Sequence, residues 1–450
     1  MDDLVKKVVE SPARAVDDFV AVANSPRYKK PIRIAKKYWG ELGPGLTTGA
    51  SDDDPSGIAT YSQAGAIFGF SFLWMSLYLI PFMVVAQEMC GRIAHVTGRG
   101  ISGVLKQHYS KRIVRSTVLM LFAANTLNIG ANIAAMAAST RLVFPGLPFT
   151  VLAVFFTLLS LILQISMPYS RYEKFLKYLT LVLFAYIITA FLIRADWAEV
   201  IRHTVQPHFI FTKDGIFMMT AIVGTTISPY LFYWQASQVI EQQREEYGRK
   251  TLTSLAGTNA KEISLMRKDV TTGMVFSNIV MFFIIAVAGT VLMPKGITID
   301  TAADAAQALR PLAGDFAFLL FAIGIVGTGM LAIPVLAGSA SYAFSEAFSL
   351  NHGLDKQLKR AYGFYGVIIL SMGIGLLINF LGIHPIKALI YSAVINGLVA
   401  PVLLTLILLV ANNHKIMGEW KNGPVSNILG WFITIIMYIA GIATLWGMFF

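Results

Sequence analysis

Apolar residues in this chain come in long runs, not in the two-residue alternation of half-buried strands or the one-sided stripe of surface helices. The runs are roughly 18 to 25 residues long, enough to cross about 30 Å of hydrocarbon as a helix. About eleven such spans are predicted, with centres near Gly57, Met83, Leu127, Leu158, Leu183, Ile227, Val280, Gly329, Leu370, Ile395 and Ile436. Two of them are interrupted. The first breaks at SDDDPSG (51–57) and the sixth at GTTISP (224–229), and in both a Gly, two Thr and a Ser come ahead of the proline.

A repeat of five spans is odd-numbered, so a second copy must enter the membrane upside down relative to the first. Paired Gly/Pro interruptions in corresponding halves of such an inverted repeat point to a transporter's binding site at mid-membrane. The expectation is an all-α integral membrane protein with broken helices one and six and a peripheral eleventh helix. Its expected parts are a basic tail (1–38), two five-helix repeats (39–200 and 201–412), and a loop with the last helix (413–450). Ordinary proline kinks, which membrane helices tolerate, are the alternative.

Composition agrees: 56% of the 450 residues are hydrophobic and 14% charged, where soluble domains carry about a quarter charged. The net charge of +11 does not imply nucleic acid, because its placement follows topology. About 29 of the 36 Lys and Arg fall in the N-terminal tail and even-numbered loops, which puts the N-terminus in the cytoplasm and the chain in the plasma (inner) membrane. The tail lacks the apolar core of a cleavable signal peptide. The lone Cys90 excludes intrachain disulfides and reads as packing. His108, His203 and His414 have no metal-ligand spacing to another His or Cys.

The first break holds Asp52, Asp53 and Asp54. Unpaired charge at membrane depth costs at least about 2.5 to 3.5 kcal/mol per residue, so these acids call for a cationic partner in a wet cavity. They also sit where the first half-helix ends, at the negative pole of its dipole, which a cation would offset. Successive side chains on a helical turn point about 100° apart, so the three cannot all face one ion. Asp54 is the expected direct contact, with Asp52 and Asp53 behind it or on the pathway. Asn125, Asn128 and Asn132 share one face of the third span, as a polar stripe beside coordinated water or as interhelical hydrogen bonds. Asn396 in the tenth span and Gln235 and Gln238 in the sixth carry the same two readings.

The segments GPGLTTGASDDDPSGIATY, GRIAHVTGRG, GTTISPYLFYWQAS and VLAGSASYAFSEAF together resemble the NRAMP divalent-metal transporters over nearly the whole chain. The resemblance implies a LeuT-like inverted repeat of five plus five helices and alternating access. Family members that move transition metals carry Asp-Pro-Gly-Asn in helix one, where this chain has Asp54-Pro55-Ser56-Gly57; the aspartate is kept and the asparagine is lost. In helix six their Ala-Thr-Val-Met-Pro-His corresponds to Thr225-Thr226-Ile227-Ser228-Pro229-Tyr230, which replaces the sulfur ligand by a hydroxyl. The family's proton-coupling acids and histidines fall on Asn125, Asn132, Tyr230 and Gln235, none of which titrates near neutral pH.

These departures resemble those of the NRAMP-related magnesium transporters. The expected ion site is Asp54, Ser56, Gly57, Thr225 and Ser228: the Asp54 carboxylate, the Thr225 carbonyl and the Ser228 and Ser56 hydroxyls are all oxygen donors, and small residues at Gly57 and Ser228 leave room for water. Hard oxygen donors place Mg²⁺ first and Mn²⁺ second, as transported substrate without any cofactor. The expected function is a secondary transporter of divalent cations without proton coupling. The competing class is an organic-solute or amino-acid transporter of the same fold. No nucleophile–base pair or nucleotide loop suggests an enzyme. The expected partners are the divalent ion and the lipid bilayer, with no nucleic acid and no obligate protein partner.

Overall fold

The structure is a computed structural model that describes residues 43–167, 183–193, 195–247, 258–310, 314–354 and 356–449. The basic tail expected over residues 1–38 lies outside them. Residues 44–450 form one compact unit, and the architecture below concerns that unit.

The first span is two helices, α1 (Pro44–Asp52) and α2 (Pro55–Phe68). The second is α3 (Leu73–Tyr78) with α4 (Ile80–Thr97), followed by the short α5 (Ile101–His108). The third and fourth are α6 (Lys111–Val143) and α7 (Phe149–Ser166). The described part of the fifth is α8 (Phe184–Leu192), and α9 (Trp197–Val205) follows it. The sixth is broken into α10 (Lys213–Thr226) and α11 (Pro229–Tyr247). Then come α12 (Ala260–Val291), the short α13 (Ala302–Ala306), α14 (Ala317–Phe348), α15 (Tyr362–Ile378) and α16 (Pro385–Asn412). A short α17 (His414–Met417) leads to α18 (Pro424–Phe449).

Nine described helices are long and apolar enough to cross a membrane. The two remaining expected spans are the first, whose break leaves pieces of 9 and 14 residues, and the fifth, which is only partly described. The sixth span is 83% buried in its apolar window, whereas the fourth and eleventh are each 33% buried. The broken helices therefore occupy the centre, and the eleventh lies at the rim, where its apolar surface is left for lipid. The third and eighth spans, α6 and α14, make the most extensive contact in the molecule, a pairing that an inverted repeat of five maps onto itself.

The brace of the broken first span is α12. Its 32 residues run about 48 Å, and it packs against both α1 and α2. The crossing is close because it is built from glycines: a Cβ on Gly49 would lie 2.1 Å from the Gly273 carbonyl oxygen, and one on Gly273 would lie 2.0 Å from that of Gly45. On α2, a Cβ on Gly65 would lie 2.6 Å from the Ile285 carbonyl oxygen. Small residues that let backbones touch are how membrane helices gain packing without a hydrophobic drive between them. Asp269 completes the brace by accepting from the Gly45 and Leu46 amides at 2.6 and 3.2 Å, two of the unsatisfied donors at the start of α1.

Gly273→Val is expected to drive α1 and α12 apart at a cost of about 1–3 kcal/mol or more. Thermal melting of the purified protein checks it; an unshifted transition would mean that the crossing is not as tight as the backbone approach implies.

Candidate ion site at the paired helix breaks

Each break has a local cause. At the first, Asp54 caps α2: its Oδ1 accepts from the Gly57 amide at 2.8 Å and from the Ser56 hydroxyl at 2.5 Å, and Pro55 takes the position where a missing N–H costs nothing. At the second, Pro229 has no N–H to continue α10. The Ser228 hydroxyl turns back onto that helix end, 2.8 Å from the Gly224 carbonyl and 2.7 Å from the Thr225 carbonyl.

The breaks then lock together. Tyr230 donates to the Ser51 carbonyl at 2.9 Å, the Tyr61 and Thr226 hydroxyls are 3.1 Å apart, and the Ser56 and Thr225 hydroxyls are 3.5 Å apart. The Ser51 carbonyl, which would otherwise be unsatisfied at membrane depth, thus finds a partner on the opposite broken helix, and two hydroxyl pairs join the breaks beside it.

Asp52, Asp53 and Asp54 are all completely buried, and no ion pair among the described residues involves them. Asp54 has every oxygen engaged, since Asn132 donates to its Oδ2 at 3.0 Å. Asp52 accepts from Ser277 on α12 at 2.8 Å through Oδ2, while its Oδ1 and both oxygens of Asp53 have no hydrogen-bond partner. Of the three, Asp54, the expected direct contact, is the most engaged, and Asp53 is the one whose two oxygens both lack a hydrogen-bond partner.

The asparagine stripe divides. Asn132 reaches Asp54, Asn128 Oδ1 lies 3.1 Å from the Ser392 hydroxyl, and Asn125 donates to the Leu336 carbonyl and the Ser339 hydroxyl on α14 at 2.9 Å each. Shared helical face did not mean shared target, because each turn of α6 meets a different neighbour. Gln235 accepts from Thr48 at 2.8 Å, and its Nε2 has no partner. Asn396 is buried with both amide atoms unpartnered, and Gln238 is buried with its Nε2 unpartnered.

Gly57 requires a correction. It does not open space for water: a Cβ there would lie 2.9 Å from the Asp52 carbonyl oxygen and 3.4 Å from the Thr225 hydroxyl. The glycine instead lets α2 start against the end of α1. Ser228 likewise faces its own helix end and engages the Thr225 carbonyl expected as a ligand.

Sequence reading missed Ser277 and Asp269. With Gly273 they fall at i, i+4 and i+8 on the seventh span, small or polar residues on one face of an otherwise apolar helix, and that pattern is a legible sign of helix contact. Thr48, Tyr61 and Thr226 were visible only as polar residues in apolar runs.

The two ends of the molecule close differently. On the face with the third-to-fourth connection lies a depression of about 610 Å³ lined by Arg141, Phe149, Thr301, Asn379 and His384. Below it an apolar seam of Ala135, Phe321, Ile325 and Leu389 descends to Pro55 and Ile58. On the opposite face Glu88 pairs with Arg92 and with Arg267, each at 2.9 Å, and Arg92 also donates to Asn422 and the Trp420 carbonyl. Glu346 accepts there from the Gly100 and Gly103 amides at 2.9 and 3.0 Å, joining two of the motifs singled out above.

The family profile described as Nramp, natural resistance-associated macrophage protein-like, matches residues 45–447. The chain belongs to the Nramp family. A relative named divalent metal cation transporter MntH, from Caldanaerobacter subterraneus subsp. tengcongensis, is 22% identical over 90% of this chain and 93% of its own. In structure, the Eremococcus coleocola manganese transporter, crystallised with an aromatic bis-isothiourea compound, superposes with a TM-score of 0.74 at 16% identity, covering 91% of this chain and 87% of that one. Mhp1, a nucleobase-cation-symport-1 family transporter in a closed conformation, gives 0.51 at 14% identity over 90% and 91%. The Nramp chain thus has the LeuT-like fold, and the relatives are named as transporters, not enzymes.

Gly57→Ala is expected to cost about 1–3 kcal/mol by overpacking the joint between α1 and α2. Gly366→Ala, where nothing lies within 4 Å of the new Cβ, should be neutral or stabilising by up to about 1 kcal/mol. Opposite shifts in melting temperature check the pair; equal shifts would show that Gly57 is not crowded.

Proposed function

We propose that this Nramp chain is a secondary transporter of hard divalent cations, Mg²⁺ first and Mn²⁺ second, working by alternating access without proton coupling. The observation that carries the reading is the set of three buried carboxylates at a double helix break, with no cationic side chain among the described residues paired to them. Such charge is unfavourable at membrane depth unless a cation occupies the site. An amino acid would bring its own carboxylate into this field and be repelled.

The choice of ion is supported by the donors at the breaks. Asp54, Ser56, Thr225, Ser228 and Asn132 offer oxygen, and Ser228 stands where a thioether would favour softer metals. Mg²⁺ is usually held through one or two carboxylates and retained water. Uncoupled transport is supported by Asn125, Asn132, Tyr230 and Gln235, which make neutral side-chain hydrogen bonds in the places where the resemblance expects titratable groups. The Lys and Arg asymmetry supports a cytoplasmic N-terminus in the plasma membrane.

Membrane potential suffices as a driving force: a doubly charged ion gains about 4.6 kcal/mol per 100 mV, roughly a thousandfold accumulation. Reconstituted in liposomes, the protein is expected to carry Mg²⁺ and Mn²⁺ but not alanine, at a rate set by the imposed potential. A pH-sensitive dye should report no proton entry beyond that of protein-free vesicles, and proton entry in step with Mg²⁺ would overturn the uncoupled reading. Asp54→Asn should abolish flux in a protein that still melts cooperatively; wild-type flux in that variant would remove Asp54 from the mechanism.

A further inference from the structure

We propose that the connection between α14 and α15 holds the phosphate of an anionic phospholipid, in a basic hollow on the ion-paired face of the molecule. The binding does not depend on which ion the chain carries. Only the assignment of this face to the cytoplasm rests on the proposed topology.

The hollow measures about 750 Å³ and is lined by Asn351, Lys356, Gln357, Lys359 and Arg360. Three of these side chains are cations and two are amides, all able to donate hydrogen bonds, and no described acid lines it. No ion pair among the described residues involves Lys356, Lys359 or Arg360. Glu346, the acid near the end of α14, is engaged by the Gly100 and Gly103 amides, with the His352 ring 4.0 Å away. In the sequence of the connection, SLNHGLDKQLKRA (349–361), these three cations face one acid, Asp355, which lies outside the described residues. The connection is therefore net positive.

The excess of Lys and Arg on one side of a membrane accounts for cations in this connection, and it is met equally well by cations spread apart. Here the backbone that carries them is fixed. The Lys356 carbonyl accepts from the Tyr365 hydroxyl at 2.9 Å, and the Arg360 amide donates to the Gln357 carbonyl at 2.8 Å. The Leu354 amide donates at 3.2 Å to the Tyr342 hydroxyl, which itself donates to Glu241 on α11 at 2.8 Å. Like charges held around one hollow repel, and an anion among them replaces repulsion by attraction. Arg and Lys donors around one point are the chemistry that recognises phosphate.

The surroundings favour a phosphate borne by lipid. Arg360 leads directly into α15, a membrane-spanning helix only 39% buried in its apolar window. Tyr362 at its start is 66% exposed, and Ile369 and Leu370 are exposed further along. On the other side of the hollow Phe348 and Leu350 are exposed as well. An exposed Tyr at the start of a spanning helix marks the headgroup level, so a headgroup in the hollow leaves its acyl chains along the apolar surface of α15. Basic pockets beside spanning helices on the cytoplasmic side are where anionic headgroups bind.

Purified full-length protein in neutral detergent is titrated with phosphatidylglycerol and, separately, with phosphatidylcholine, and bound lipid is counted by native mass spectrometry. One phosphatidylglycerol is expected to bind about tenfold or more tightly than phosphatidylcholine. Lys359→Gln/Arg360→Gln should lose that one tight equivalent. Lys415→Gln/Lys421→Gln, which removes two exposed cations from the connection before α18, should keep it. Equal affinity for the two lipids, an undiminished tight equivalent in Lys359→Gln/Arg360→Gln, or the same loss in both variants overturns the site. Inorganic phosphate is the second probe: in large excess it should leave phosphatidylglycerol bound, and full displacement would assign the hollow to free phosphate and overturn the lipid. Should the double variant fail to melt cooperatively, Lys359→Gln alone decides, with a smaller loss of affinity expected and none overturning the site.

Discussion

The structure turns on one constraint, that backbone groups released by breaking a helix at membrane depth must be satisfied without water or lipid. Two breaks placed side by side meet it mutually. The Ser51 carbonyl at the end of α1 takes the Tyr230 hydroxyl from α11, Ser228 covers the last carbonyls of α10, and Asp54 covers the first amides of α2. The α12 brace, with Asp269 at one end of α1 and Ser277 at the other, holds the first half-helix in place. The carboxylates share these donors unequally: Asp54 accepts from Ser56, Gly57 and Asn132, Asp52 from Ser277 through one oxygen, and both oxygens of Asp53 lack a hydrogen-bond partner.

The closure at the two faces fits that arrangement. The ion-paired face is fastened by groups from three segments: Glu88 and Arg92 on α4, Arg267 on α12, and Asn422 and Trp420 in the connection before α18. Over the site the opposite face is lined, among the described residues, mostly by small and apolar side chains such as Ala135, Phe321 and Ile325. Apolar contacts are non-directional, so this closure has fewer specific bonds to break than the ion-paired one, and the depression lined by Arg141 and His384 lies beside it.

Departures from sequence expectation cluster at the site. Gly57 invited the reading of empty space because it replaces a larger residue in the resemblance, yet the space is filled by the Asp52 carbonyl. A missing side chain is as easily an approach of backbone as a cavity, and only the second chain segment decides which. The same applies to Asn125, Asn128 and Asn132, whose common helical face dissolves into three different partners on three different helices.

The sequence by itself determined the membrane-spanning class and the two broken helices, because these depend on local quantities: length of apolar run, and prolines and acids within a run. The family was legible in four segments, GPGLTTGASDDDPSGIATY, GRIAHVTGRG, GTTISPYLFYWQAS and VLAGSASYAFSEAF, and the three adjacent aspartates stood out as buried charge that calls for compensation. Tertiary structure alone decided which oxygen is engaged and which is free. Asp54 is compensated by Asn132 from 78 positions away and Asp52 by Ser277 from 225, and no local pattern encodes which of three adjacent carboxylates meets which distant donor. That assignment follows from helix rotation and crossing distance, set between α1 and α12 by Gly45, Gly49 and Gly273, where backbone touches backbone.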